Sequence, residues 1–142
     1  MTVTLPERRY ELVGRLLSSA LEHAERTGDS PRATLGRLAY QLGQQLAETA
    51  RSTGDGTDTR DIALQVLEAY GFEPRTEGDS VTLANCPFHT LAQAHTDLVC
   101  GTNLALLDGL LDGLASPGLT AQLDPTPPYC CVRLEPVLDT GV

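Results

Sequence analysis

Four cysteines and one histidine are the residues of this 142-residue chain whose types and spacing could do chemistry. Cys86 and His89 stand three apart in "LANCPFHTLAQAHTDLVCGTN", Cys100 follows Cys86 by fourteen, and Cys130 and Cys131 are adjacent in "PYCCVRL". A thiolate and an imidazole three residues apart on one helical face can bite the same ion, and a helix N-terminus favours the thiolate. A Cys-x-x-His pair alone is a weak signal. Cysteine is also among the most often buried residue types, so a lone one such as Cys100 is ordinarily packing. What lifts the pair above that reading is topology: the end of a hairpin, the start of a long helix and the last strand can meet at one end of a small sheet. Successive strand residues face opposite ways, so only one of the adjacent cysteines can readily reach that point. Cys130, on the face of Val132 and Leu134, is the first choice and Cys131 the alternative. The set Cys86, His89, Cys100 and Cys130 is a Cys3His site of the kind tetrahedral zinc prefers. His23 and His95 lack spaced partners and read as a surface residue of the first helix and a residue of a helix junction.

The elements that must position these residues follow from the apolar periods. "LPERRYELVGRLLSSALEHAERTG" predicts a helix with Pro6 in its first turn, a stripe through Tyr10, Val13, Leu17, Ala20, Leu21 and Ala24, and Gly28 as its stop. A second helix has Ser30 as N-cap, Pro31 in its first turn and a stripe of Leu35, Leu38, Leu42 and Leu46. After the solvated loop "STGDGTDT", a third runs from about Asp58 to Tyr70, with Ile62, Val66 and Ala69 inward and Gly71 as its cap. Beyond Gly71 the period changes. "FEPRT", the turn "EGDS" and "VTLAN" predict a hairpin. Cys86 then sits where an N-cap sits, with Pro87 following and His89 one turn above. A long helix capped by Thr96 and ended at Pro117 and Gly118 carries Cys100, Leu104, Leu107, Leu111 and Leu114 on one stripe. "LTAQLDP" and "YCCVRLEP", joined by "PTPP", are two further strands. The fold class is α+β: two long N-terminal helices and a third, then a small, mainly antiparallel sheet with a long helix packed on it. The chain reads as one domain, with residues 1–57 a helical dimerisation segment, 58–136 an α+β metal-binding segment and 137–142 a tail.

Composition narrows the function. The formal net charge is −9 and the sequence pI about 4.6, which repels phosphate backbones and anionic lipid. No signal core or membrane span stands out, so a cytoplasmic location is the default. In that reducing compartment cysteines read as ligands, reactive thiols or buried side chains before they read as disulfides.

"CPFHTLAQAHTDLVCGTNLALLDGLLDGL" followed by "YCCVRL" resembles the C-terminal sensory domain of a family of predicted bacterial ArsR-like transcriptional regulators, similar to the repressors of iron-sulfur cluster biogenesis. The likeness is strongest from about Gly71 to Leu134 and looser over the first two helices. It implies long helices that dimerise, a cysteine-bearing domain that senses, and a winged helix that binds DNA. No winged helix is present in these residues, so the resemblance implies a homodimer that reaches DNA only through a domain absent from this chain, either as a truncated piece or as a standalone relative. The iron-sulfur repressors would carry a further cysteine near the end of the long helix. Here Leu107, Leu110, Leu111 and Leu114 fill that stretch, so a cluster would need His89 or the vicinal cysteine as fourth ligand, whereas zinc needs nothing unusual.

Three functions compete. The first is the metal-binding sensory and dimerisation domain of a regulator, with zinc as cofactor, an iron-sulfur cluster as the alternative, and room for a small-molecule effector. The second is a standalone, non-catalytic zinc-containing module that binds a ligand or partner. The third is a redox enzyme using the vicinal thiols of Cys130 and Cys131. Without a Cys-x-x-Cys, a nucleophile elbow or a phosphate loop, a non-enzyme is the expectation.

Overall fold

The computed structural model describes residues 10–53, 58–86, 88–115, 118–123 and 132–137. In chain order these form α1 (Tyr10–Thr27), α2 (Pro31–Thr53), α3 (Thr59–Ala69), β1 (Pro74–Glu77), β2 (Ser80–Leu83), α4 (His89–Ala94), α5 (Thr96–Gly113), β3 (Leu119–Leu123) and β4 (Val132–Pro136). The fold is α+β, helices first and sheet after, as the change of period at Gly71 requires.

Local chemistry sets the helix ends. Gly28, at φ +79°, closes α1 by donating its N–H to the Ala24 carbonyl at 2.8 Å. The Ser30 hydroxyl accepts from Ala33 N at 3.3 Å at the start of α2, and the Asp58 carboxylate accepts from Arg60 N at 3.2 Å at the start of α3. Past the end of α3, Gly71 takes φ +87° and the chain turns so that Phe72 N donates to Leu67 O at 3.0 Å.

The sheet is antiparallel in the order β1-β2-β4-β3. Its register pairs Glu77 with Ser80 across the two-residue turn, Val81 with Leu134, and Leu123 with Val132. Alternation then puts Val81, Leu83, Val132, Leu134 and Leu119 on one buried face. The opposite face carries Arg133, paired with Glu135 and lying 3.8 Å from Glu77.

Helix α5 lies against this sheet on one side and against α2 on the other, its most extensive contact; α1 packs on α2 in turn. A helix covered on two sides must be apolar over most of its circumference. Val99, Cys100, Leu106, Leu107, Leu110 and Leu111 are all buried accordingly. Where α2 meets α5 the backbones nearly touch. A Cβ on Gly43 would fall on the Leu106 carbonyl oxygen and 2.7 Å from Leu110 N; one on Gly109 would fall on the Tyr40 carbonyl. Contacts advance together along both helices, from Tyr40 against Gly109 to Ala47 against Gly113.

This close approach revises the inward faces read from the sequence. The deepest residues of α2 are Thr34, Leu35, Ala39, Gly43 and Ala47, while Leu38, Leu42 and Leu46 are only half-buried. In α1 Leu16 is buried and Leu21 is 56% exposed, because the face turned to α2 is Val13, Leu16, Ala20 and Ala24. In α3 Ile62, Ala63 and Leu67 point inward in place of Val66 and Ala69. Pro6, Pro87, Pro117 and the "PTPP" link lie outside the described residues. No helix among those described is long and apolar enough to cross a membrane.

Candidate thiol and metal site

The corner that holds the sulfurs begins where α3 ends. Beyond the last β1–β2 pair the hairpin is prolonged by two backbone bonds, Ala84 N to Glu73 O at 3.0 Å and Asn85 N to Phe72 O at 3.1 Å. The buried Asn85 amide then donates to Gly71 O at 2.5 Å, tying the exit of β2 to the cap of α3. Cys86, the next residue, is thereby fixed at the sheet's end. Phe88 is buried just beyond it and occupies the N-cap position of α4 without a side-chain cap bond. The sequence expectation that Cys86 would itself cap a helix is therefore corrected: α4 starts at His89, two residues past the position expected. With Phe88 driven into the core, the chain completes its turn before the helix begins.

Helix α5 follows α4 after the single residue His95, whose carbonyl accepts from Val99 N at 3.0 Å. Cys100 and Asn103 lie three apart on α5, hence on one face. Both are buried, Cys100 at 7% exposure and Asn103 at 0%. The Asn103 amide Nδ2 donates to Cys86 Sγ at 3.5 Å. The exit of β2 at Cys86 is thus set against the α5 turn that runs from Cys100 to Asn103.

The two sulfurs are in different chemical states. Cys86 is a buried thiol, 8% exposed. Cys100 is bonded in a disulfide. Asn103 presents a further asymmetry, since its Nδ2 meets Cys86 while its Oδ1 is buried without a hydrogen-bond partner. A buried amide oxygen left in that condition costs about 1–3 kcal/mol.

As for the rest of the predicted set, α4 contains His89, whose side chain lies outside the described residues, as do Cys130 and Cys131 entirely. Among the described residues no three His, Cys, Asp or Glu side chains gather to hold an ion. The donors described do not by themselves fit zinc, because a disulfide sulfur is not the thiolate that the metal requires. His95 is exposed at the α4–α5 junction, in keeping with its reading as a junction residue.

Asn103 is a site residue that the cysteine and histidine spacing does not single out. The signal available was a carboxamide, a poor helix former, set among leucines exactly one turn after a cysteine.

Elsewhere, α5 carries Asp108 and Asp112 one turn apart. Burial, reinforced by the Asp112 charge, raises the Asp108 carboxyl above its ordinary value. The exposed Tyr40 hydroxyl donates to Asp112 at 2.5 Å, which raises its pKa. This cluster is on the α2 side of the helix and carries no sulfur.

Compared with known proteins, the chain matches no family model, no curated protein and no solved structure.

Proposed function

We propose that the chain is the metal-binding sensory and dimerisation domain of a transcriptional regulator, binding one zinc ion through Cys86, His89, Cys100 and one of Cys130 and Cys131. The observation that supports this reading is the Asn103 Nδ2 hydrogen bond to Cys86 Sγ, which sets the hairpin exit against the α5 turn that begins at Cys100. Cysteines on a hairpin exit and on the helix packed beside it suit a metal that ties those two elements together. The likeness of "CPFHTLAQAHTDLVCGTN" and "YCCVRL" to ArsR-like regulators supplies the link to transcription and to a homodimer, with DNA reached through a separate winged helix. The dimer reading is supported by the half-buried Leu12, Leu38 and Leu42, which with Leu16 line a shallow groove of about 280 Å³ between α1 and α2. Small domains usually bury such faces on a partner. The acidic net charge keeps this chain itself off nucleic acid and off anionic membranes.

Within the site each residue has a task. Cys86 and Cys100 supply thiolates from two different elements. The Asn103 N–H orients the Cys86 sulfur, the role outer-sphere hydrogen bonds play around metals. Bound zinc supplies a rigid tetrahedral cross-link and no redox chemistry of its own. Protein purified reduced and without oxygen, then subjected to elemental analysis and absorption spectroscopy, tests the reading. One equivalent of zinc with no visible absorption supports it. A brown chromophore with iron and sulfide would replace zinc by a cluster, and metal-free protein would refute the metal altogether.

The disulfide at Cys100 favours a second reading, a thiol-redox enzyme. Turnover of a small-molecule disulfide by the metal-free reduced protein would support it over the first.

A further inference from the structure

The helices do not fill all the space between them. Where α1, α2, α4 and α5 meet, a cavity of about 50 Å³ remains, walled by Val13 and Leu17 of α1, Leu35 of α2, Phe88 and Leu91 at α4, and Val99 of α5. We propose that this cavity is a binding site for a small neutral molecule that buries an alkyl group of about two to four carbons, since an apolar cavity about three times as large admits benzene. The inference does not depend on the metal-binding reading above.

The wall selects an apolar occupant. Val13, Leu35, Phe88 and Val99 are all buried. The one hydroxyl in the wall belongs to Thr102, also buried, and donates to the Leu98 carbonyl at 2.8 Å, so it is already satisfied. Water needs two or more polar groups to hold it, and a space that offers fewer stays dry. An alkyl group entering such a space leaves water and restores the contacts that its walls lack.

Charge selects a neutral one. Among the described residues no carboxylate and no guanidinium lines the cavity, and an ion buried there would be unpaired. The net charge of −9, with Asp97 in the first turn of α5, opposes an anion further. At the rim His95 is exposed and Leu17, Leu91 and Leu98 are half-buried, so the cavity meets solvent there. A ligand hydroxyl at that rim exchanges hydrogen bonds with water or the imidazole while its alkyl group lies inside. Phe88 stands shortly after Cys86 and Val99 just before Cys100, so the occupant touches both of the segments that carry the described cysteines.

The test follows the valine and leucine methyl groups of the full chain by NMR at pH 7 while xenon, 1-propanol or propionate is added. Propanol and propionate have equally long carbon chains and differ in charge. The inference predicts saturable shifts centred on Val13, Leu17, Leu35 and Val99 with xenon and with propanol, the latter at a dissociation constant on the order of 10 mM. Propionate should bind at least about tenfold more weakly. Val99→Leu puts an extra methylene into the cavity and should weaken propanol at least about tenfold without lowering the melting temperature. Leu17→Phe, made at the half-buried rim, should weaken it alike, so the outcome does not hang on one core substitution. Shifts that never saturate, or that spread equally over the exposed Leu21 and Leu123, would overturn the inference. So would propionate binding as tightly as propanol, or propanol binding undiminished in both variants.

Discussion

The two halves of α5 both carry buried residues, but they are closed in opposite ways. Towards its C-terminus Gly109 and Gly113 admit α2 so closely that a Cβ at either would run into Tyr40 or into Ala47 and Gln44. Towards its N-terminus Cys100 and Asn103 bury polar and sulfur atoms whose bonding is asymmetric, one amide nitrogen satisfied and one amide oxygen not. The first end is complete as a piece of packing. The second leaves a buried amide oxygen without a hydrogen-bond partner, and the difference separates the part of the helix that holds the fold from the part proposed to hold function.

The largest effect expected is at the packed end. Gly109→Ala places a methyl group on the Tyr40 backbone, where no side-chain movement can relieve it, so the helices must separate. The expected loss is about 3 kcal/mol or more in urea unfolding, with Gly43→Ala alike and the double variant less than additive. A loss under about 1 kcal/mol for both would mean that α2 and α5 do not approach so closely.

The next effect sharpens the contrast from the polar end. Asn103→Leu removes the unpartnered oxygen and keeps the volume, so the metal-free protein should be as stable as the parent or more so, by up to about 1 kcal/mol. The same change should lower zinc affinity by about 10- to 100-fold, because the Cys86 sulfur loses its orienting N–H. Unchanged affinity in a competition titration would reduce Asn103 to packing.

A smaller gain is expected where a helical glycine has open space. Gly14, exposed on α1 with nothing near its missing Cβ, should yield about 0.5–1 kcal/mol as Gly14→Ala, the reverse sign of Gly109 for the same substitution. The smallest concerns Asp108. Its folded-state pKa is raised by burial, so its ionised form costs stability at neutral pH, and that cost is relieved as pH falls through the raised value. Asp108→Asn should therefore raise the melting temperature slightly at pH 7, with the gain shrinking towards about pH 4, where the unfolded carboxyl also takes up its proton. A gain that does not depend on pH would assign it to something other than charge.

The same contrast explains what the sequence could disclose. Period and punctuation were enough for most of the elements: Gly28, Ser30 and Gly71 act on their immediate neighbours, and the helix ends form there as read. Faces were harder, because hydrophobicity marks what is apolar and says nothing of how near two backbones come. The stripe of Leu38, Leu42 and Leu46 is real, but the deeper side of α2 is Ala39, Gly43 and Ala47, chosen by the shape of α5. At the site, the structure sets Cys86 against Asn103, three residues past Cys100 on α5, while Cys130, Cys131 and the His89 side chain lie outside the described residues. The bond at Cys100 was not legible, since spacing records which residues can meet and not the oxidation state in which they do. The start of α4 slipped because Phe88, a core residue, took the N-cap position from Cys86.

The central claim is that sulfurs from separate elements bind one zinc ion, and metal content across single variants tests it most directly. Cys86→Ser, His89→Ala, Cys100→Ser, Cys130→Ser and Cys131→Ser would each be purified reduced, supplied with zinc and compared with the parent chain by elemental analysis. The account predicts about one equivalent in the parent, loss in Cys86→Ser, His89→Ala and Cys100→Ser, and loss in one of the last two variants only. Full zinc retained by Cys100→Ser would contradict it, because the convergence on α5 would then have no part in holding the metal.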